Sequence, residues 1–441
     1  MITATRVKTI SKLAIPVGVA LSSNVLLSLI DLAMVGTLGN NAIAAVGLSV
    51  FSNTLVVAFV TGIMPAVQGL VARRRGEDSS EPRAVPLNGG LFVALLLGIP
   101  LTIVCCLVTP SFFSMISPDA EVIKIGVPFL RTLYLGIVAT GMNKAFEGYW
   151  AGMEKPRVYM SITLITACLN VFLNYVLIFG HFGAPALGAT GAAIGTVLSL
   201  YMGTLINCWI TYFWQRQDGF LTAKPERSLL ASMFKLGLPA TFQGFFVSAG
   251  YIVFYWLIGR VGTEELAALN VLVRVSMVLT LLAMSLGNAS ATLVCKTVGE
   301  GDYSGAAAWG WDSGKLGVIG ITLLGLPILL FPRLFLSIFL SDPHTISMAV
   351  VPLRLVAGTA GLGSLIFIFA YTLVSLGDGS RVATISFATQ WLFFLPAVWL
   401  VGPHLHYGLL PIALVQTAYG TMATALITWL WADGRWKRIR V

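Results

Sequence analysis

The feature that most constrains this chain is a run of apolar stretches, each about twenty residues long, that recurs from one end to the other. Each stretch is long enough to cross roughly 30 Å of hydrocarbon as an α-helix. Of the 441 residues, 57% are hydrophobic and only 10% are charged, whereas roughly a quarter of residues are charged in soluble domains. We therefore predict an all-α integral membrane protein.

The hydropathy pattern predicts twelve transmembrane helices and no separate soluble domain. The predicted spans cover residues 10–38, 43–72, 87–109, 122–143, 157–180, 188–214, 229–259, 265–296, 313–331, 346–375, 380–402 and 406–432.

The chain also repeats itself. Lys-Leu-Ala-Ile-Pro at 12–16 reappears as Lys-Leu-Gly-Leu-Pro at 235–239, so that Pro16 corresponds to Pro239. This separation, the repeat offset, then holds without a gap for more than sixty residues. Each half holds six spans, so both halves enter the membrane in the same orientation. We predict an N-terminal lobe over 1–215, a cytoplasmic connection over 216–228 and a C-terminal lobe over 229–441, with a substrate cavity between the lobes.

Basic residues alternate from loop to loop. They cluster before span 1, after spans 2 and 4, in the central connection and after span 12, while the intervening loops hold almost none. This positive-inside pattern predicts that both termini are cytoplasmic. It also accounts for the net charge of +9 without a nucleic-acid partner.

Asp31 is the only acidic residue deep inside a predicted span. A carboxylate in hydrocarbon costs several kcal/mol, so it must face the bundle interior, be protonated or have a partner. Asn24 lies two helical turns earlier on the same face. Because burial favours the protonated form, Asp31 could take up a proton on one side of the membrane and release it on the other. The alternative is an acid that only cross-links helices.

Asn170 and Asn174 in span 5 are four residues apart and share a helix face. Such amides often join membrane helices, and that alternative stays open. With Asp31 and Thr196 of span 6 they would supply the oxygen ligands of a sodium ion, or a hydrogen-bond network around a protonated acid. The sequence therefore predicts one site that serves either H⁺ or Na⁺.

The second half lacks this polarity, since Phe254 stands at the position that the repeat offset pairs with Asp31. Span 7 is rich in aromatic residues, whose faces suit flat lipophilic cations, although packing and lipid contact would explain most of them. We predict that the substrate cavity includes Gln243, Phe246, Phe254 and Arg274.

Prolines and arginines add two further expectations. Pro16 and Pro239 occupy matching places in the first span of each half and predict a bend, unless they merely begin their helices. Arg131 and Arg354 also nearly match, which indicates either anion handling or a structural clamp on helix-end carbonyls. The five cysteines have no metal-ligand spacing, and we expect no cofactor beyond the coupling ion.

The residues resemble the multidrug and toxic compound extrusion (MATE) family. The resemblance rests on the segments 31–36, 42–47, 152–157, 169–175 and 191–196, and it extends over the whole chain. It implies a V-shaped central cleft and antiport export of amphipathic, often cationic drugs or dyes by a bacterial inner-membrane protein. It places the family's first-span acid and amide on Asp31 and Asn24, the fifth-span amide on Asn170 and the sixth-span threonine on Thr196.

The chain is nearest to the DNA-damage-inducible type or to a mixed bacterial branch. That type usually has a second acid where this chain has Asn174. With one carboxylate, we favour protons over sodium. We expect a monomer.

Two other functions compete with this interpretation. A flippase of lipid-linked saccharides shares the two-lobed plan and would use Arg131, Arg274 and Arg354 to hold pyrophosphate. A membrane enzyme would need a cluster of His, Asp, Glu, Ser or Lys partners near the membrane surface, and Asp31 has no histidine or second buried acid in its own half. We therefore expect no enzyme activity.

Overall fold

A computed structural model of the chain describes residues 2–77, 82–340, 342–405 and 407–439. Within them, eleven helices are long and apolar enough to cross a membrane, and one bent pair brings the number to twelve. The prediction of an all-α membrane protein with about twelve spans is confirmed.

The first six spans are α1 to α6. Their bounds are Ala4–Gly36 (α1), Asn40–Gly76 (α2), Val85–Ile116 (α3), Ala120–Leu135 with Ile137–Gly152 (α4), Pro156–Phe179 (α5) and Gly188–Gln215 (α6). The two parts of α4 meet at a bend of 40°.

The second six spans are α7 to α12. Their bounds are Arg227–Gly259 (α7), Thr263–Gly299 (α8), Tyr303–Leu330 (α9), Pro343–Leu376 (α10), Gly379–His404 (α11) and Leu409–Ala432 (α12). Two π-helical segments, Ala388–Phe394 and Leu400–His404, interrupt α11. A short helix at Pro332–Ser337 follows α9, and single 3₁₀ turns follow α5 and α12.

The helix bounds reproduce the internal repeat. The helices α1 and α7 have 33 residues each, and α2 and α8 have 37 residues each. In both pairs the two starting residues are separated by the repeat offset. Pro16 and Pro239 lie inside α1 and α7 rather than at their starts. The bend that we expect at these prolines remains a prediction.

Contacts group the chain into two compact units. The N-terminal unit is Val19–Thr241, and the C-terminal unit is Met1–Gly18 with Phe242–Val441. The first parts of α1 and α7 are therefore each grouped with the other half's helices, and the repeat offset also separates the two boundaries. The predicted lobes follow the repeat instead, and they remain a prediction.

The segment between α6 and α7 packs against the N-terminal unit. Asn88 of α3 donates to the carbonyls of Gly219 (2.9 Å) and Ala223 (2.8 Å) and accepts from the Leu221 N–H at 3.1 Å. Phe220 is fully buried next to Phe146. The connection is thus an ordered part of this unit.

Aspartates cap two helices of the C-terminal unit. Asp302 accepts from the Gly305 N–H at the start of α9, and Asp342 accepts from the Thr345 N–H and hydroxyl in the first turn of α10. These hydrogen bonds, first among them the Gly305 N–H and the Thr345 hydroxyl, hold the pKa of each carboxyl below its usual value.

Candidate cation-coupling site

Asp31 lies on the part of α1 that belongs to the N-terminal unit, and its side chain is half-buried. The Asn174 Nδ2 of α5 donates a hydrogen bond of 2.8 Å to Asp31 Oδ1. The acid thus has a neutral amide as its partner, and no ion pair is recorded for it among the described residues. This contact joins α1 to α5.

The two asparagines of α5 continue the network, as their spacing predicts. Asn174 Nδ2 also donates to Asn170 Oδ1 at 3.0 Å. Asn170 Nδ2 in turn faces Thr196 Oγ1 and Ser199 Oγ of α6, each at 3.2 Å. Side chains of α1, α5 and α6 therefore form one connected chain of hydrogen bonds from Asp31 to Ser199.

Both amides are shielded from solvent. Asn170 is 1% exposed and Asn174 is fully buried. Asn174 Oδ1 has no hydrogen-bond donor in the described part of the chain, which is unusual for a buried acceptor. Gly195 of α6 makes room for this oxygen, because a Cβ at Gly195 would overlap it. The site therefore keeps one unused acceptor in its interior.

Two residues differ from the expectation for the coupling site. Ser199 belongs to the network and was not predicted, whereas Asn24 was predicted there and lies apart from it. Ser199 follows Thr196 by three residues on the same face of α6, a spacing that could have indicated it. The side chain of Asn24 is exposed and makes no hydrogen bond to the five side chains of this network in the described structure. Its role in ion coupling remains a prediction.

The arrangement brings together the oxygen atoms that we expect around a proton or a sodium ion. They are the Asp31 carboxylate, the amide oxygens of Asn170 and Asn174 and the Thr196 hydroxyl. Hard cations such as sodium prefer oxygen ligands of this kind. As placed, however, the amide nitrogen of Asn174 faces Asp31, so sodium binding would require the amides to turn.

The repeat-equivalent region of the C-terminal unit is apolar. Phe254 is fully buried, with ring centres 5.0 Å from Phe394, which stacks on Tyr419 at 4.7 Å. An aromatic core thus replaces the polar network, and this burial does not favour the predicted place of Phe254 in a substrate cavity.

Of the other predicted cavity residues, two lie side by side between α7 and α11 of the C-terminal unit, and the third lies on α8. Gln243 of α7 donates to Ser386 Oγ of α11 at 3.1 Å. The Phe246 ring lies edge-on to Phe387, 4.9 Å between centres. Arg274 is exposed on α8. Contact with a substrate remains a prediction for all three.

Arg131 acts as a backbone clamp. Its Nε donates to the carbonyl of Cys106 at 3.0 Å. Pro110 is four residues after Cys106 in α3 and has no N–H for that carbonyl. Arg131 therefore supplies the donor that the helix lacks, which supports the clamp over anion handling.

A family model and several known proteins match most of this chain. A family model described as MatE matches residues 16–176 and 239–400. The probable multidrug resistance protein NorM of Thermotoga maritima is 26% identical, with 98% of this chain and 93% of that protein covered. The multidrug resistance protein MdtK of Yersinia pseudotuberculosis is 24% identical, with 88% and 86% covered.

Solved structures share the fold. A multidrug resistance MATE family transporter in an outward-facing conformation superposes with a TM-score of 0.88 at 19% identity, covering 98% of this chain and 96% of that one. A MOP superfamily transporter from Pyrococcus furiosus, for which a reverse polarity of the binding pocket is reported, also has a TM-score of 0.88, at 18% identity and with 98% and 97% covered.

Proposed function

Because this chain belongs to the MatE family, we propose that it exports amphipathic, often cationic organic compounds in exchange for protons that enter through the Asp31 site. The multidrug resistance names of its relatives support the substrate class. The observation that carries the coupling proposal is the buried amide pair bonded to the acid at 2.8 Å. An acid that only links helices would need neither the unused oxygen of Asn174 nor Asn170 as a second buried amide.

The Asn174 amide can serve both protonation states of Asp31. An ionised carboxylate only accepts hydrogen bonds, so the amide nitrogen faces it, as observed. A protonated carboxyl donates through its O–H and requires an acceptor. A half-turn of the amide presents Oδ1, which is the atom without a donor here. Protonation of Asp31 thereby reverses the direction of its hydrogen bond with Asn174 and changes the α1–α5 contact.

This change can reach beyond the N-terminal unit because α1 is one continuous helix from Ala4 to Gly36. Its first part is grouped with the C-terminal unit and its second part with the N-terminal unit. If the two protonation states of Asp31 favour different positions of α1, proton binding shifts the population of conformations. Alternating access follows from that shift.

Sodium is the alternative coupling ion at the same atoms. The ligands would be Asp31, Asn170, Asn174 and Thr196, with both amides turned so that their oxygens point inward. The single carboxylate and the observed donation from Asn174 favour the proton. No observation on Arg131 favours a flippase, since Cys106 accounts for its position.

The test is efflux from vesicles under separately imposed proton and sodium gradients. We expect Asp31→Asn to reduce proton-driven efflux by at least about a hundredfold, because its side chain cannot carry a proton. Asn170→Ala should reduce it about tenfold through loss of the network. Asn270→Ala is the matched control, because it removes an exposed amide whose hydrogen bond in the described structure is to Leu266 of its own helix. Normal proton-driven efflux by Asp31→Asn would refute the coupling assignment.

A further inference from the structure

The hydroxyls of Ser199 and Thr196 on α6 hold the side-chain amide of Asn170 from one side. An amide nitrogen has two hydrogens to donate, and Asn170 Nδ2 reaches two acceptors, Thr196 Oγ1 and Ser199 Oγ, each at 3.2 Å. Ser199 is 2% exposed and Asn170 is 1% exposed, so solvent does not compete for the contact between them. Both hydrogens of this amide are therefore used on α6.

The two hydroxyls can only accept from Asn170. Thr196 Oγ1 donates to the carbonyl of Ala192 at 2.9 Å, and Ser199 Oγ donates to the carbonyl of Thr196 at 2.8 Å. A hydroxyl has a single hydrogen to donate, so neither hydroxyl has one left for the amide. The nitrogen of Asn170 must consequently face α6, and its oxygen must face the other way.

This orientation determines the next contacts of the network. Asn170 Oδ1 accepts from Asn174 Nδ2 at 3.0 Å, and the same nitrogen donates to Asp31 at 2.8 Å. With the opposite orientation, Asn170 would place nitrogen against nitrogen at Asn174 and oxygen against two acceptors on α6. The direction of each hydrogen bond between α6 and Asp31 thus follows from the two hydroxyls.

A sodium ion would require the opposite orientation of Asn170. A cation shared by Thr196 and Asn170 needs the amide oxygen, and not the nitrogen, beside Thr196 Oγ1. Turning the amide gives up both hydrogen bonds to α6 and brings its oxygen close to Ser199 Oγ, which has no hydrogen to offer. Ser199 is not one of the predicted sodium ligands, so it opposes the turn and gains nothing from the ion.

We propose that Ser199 is a positioning residue that makes the coupling site prefer protons to sodium ions. It keeps the nitrogen of Asn170 towards α6, where a bound sodium ion would need the oxygen. Protonation of Asp31 involves the neighbouring amide, Asn174, and leaves Asn170 in place. This inference rests on the proposed function of the Asp31 site, and it assigns the ion preference to a residue that is not itself a ligand.

The experiment measures sodium binding to the purified full-length protein through thermal unfolding. A ligand that binds the folded state raises the unfolding temperature as it saturates, so a titration with NaCl yields the sodium affinity. Choline chloride keeps the ionic strength constant, and about pH 8 keeps competing protons scarce. Ser199→Ala should lower the half-saturating sodium concentration about fivefold relative to wild type, because one of the two bonds that hold Asn170 is lost.

Two further variants separate this effect from damage to the site. Ser199→Cys nearly keeps the size of the side chain and offers a much weaker acceptor, so it should shift the sodium affinity in the same direction if Ser199→Ala proves unstable. Ser364→Ala is the matched control, because Ser364 is 1% exposed and also donates to the carbonyl three residues earlier, that of Gly361. It should leave the sodium affinity within about twofold of wild type.

The gain in affinity should disappear when Asp31→Asn is added to Ser199→Ala, since sodium then lacks its carboxylate. No sodium response, or the wild-type affinity, in both Ser199 variants overturns the proposal. A weaker affinity would make Ser199 itself a ligand, and a gain that survives Asp31→Asn would place the ion elsewhere, so either result also overturns it. The titration requires no transport. Wild-type vesicles that export nothing under either gradient would therefore refute the proposed export function and leave the role of Ser199 to the titration.

Discussion

The side-chain amide of Asn174 contacts both Asp31 and Asn170 through one nitrogen, which leaves its oxygen without a donor. Leaving a buried acceptor unpaired costs about 1–3 kcal/mol. The cost is offset if the oxygen is used in another state of the site, such as the protonated state of Asp31. A glycine at position 195 leaves the space that this amide oxygen occupies.

Gly195→Ala should therefore slow transport strongly while the protein still folds. The added Cβ would overlap Asn174 Oδ1 and force the amide away from Asp31. We expect a stability loss of about 1–3 kcal/mol and an efflux rate reduced at least about tenfold, measured by thermal unfolding and by proton-driven efflux. Gly47→Ala, where a Cβ would meet nothing within 4 Å, should leave both unchanged. Wild-type efflux by Gly195→Ala would contradict the turning amide.

The Arg131 clamp can be tested against the proline that creates the need for it. Arg131→Leu should cost about 1.5 kcal/mol, because the Cys106 carbonyl then has no donor in an apolar setting. Pro110→Ala restores the backbone N–H that α3 lacks. In this second background the loss from Arg131→Leu should nearly vanish, as a double-mutant cycle of thermal unfolding would show. Additive losses would mean that the two residues act independently.

At the scale of elements, the connection between α6 and α7 is a packed part of the N-terminal unit. The segment after α6 is held by three hydrogen bonds to Asn88 and by the buried ring of Phe220. The start of α7 belongs to the same unit, and its Thr241 donates to the Phe59 carbonyl of α2 at 3.4 Å. The chain passes to the other unit inside a helix and not in a loop.

Phe220→Ala should consequently destabilise the protein although it lies in a loop. Removal of a fully buried ring costs about 3–5 kcal/mol, and the connection should become a site of rapid cleavage in limited proteolysis. Leu221→Ala, whose side chain is 64% exposed, is the neighbouring control and should behave like the wild type. Equal resistance of Phe220→Ala to protease would refute the packed connection.

At the scale of the molecule, features carried by local periodicity were predictable. Apolar length indicated the spans, the repeat offset matches the bounds of α1, α2, α7 and α8, and a four-residue spacing identified Asn170 and Asn174 as one face. Local periodicity could not show which faces of helices far apart in sequence pack against each other. The sequence did not show that Asn24 would stay apart, that Ser199 would join the network or that Asn88 would bind the connection, because each outcome depends on packing between helices far apart in sequence.

Membrane orientation is the remaining property of the whole chain, and two exposed loop positions test it. Phe182 follows α5 and is 82% exposed, while Leu221 follows α6 and is 64% exposed. The alternation of basic residues places Leu221 in the cytoplasm and Phe182 one span away on the outer side. In intact cells, a membrane-impermeant maleimide should label Phe182→Cys and not Leu221→Cys, with the unmodified chain as background. After the membrane is permeabilised, Leu221→Cys should react as well. Labelling of Leu221→Cys in intact cells would invert the orientation and, with it, the direction in which the proposed proton gradient could drive export.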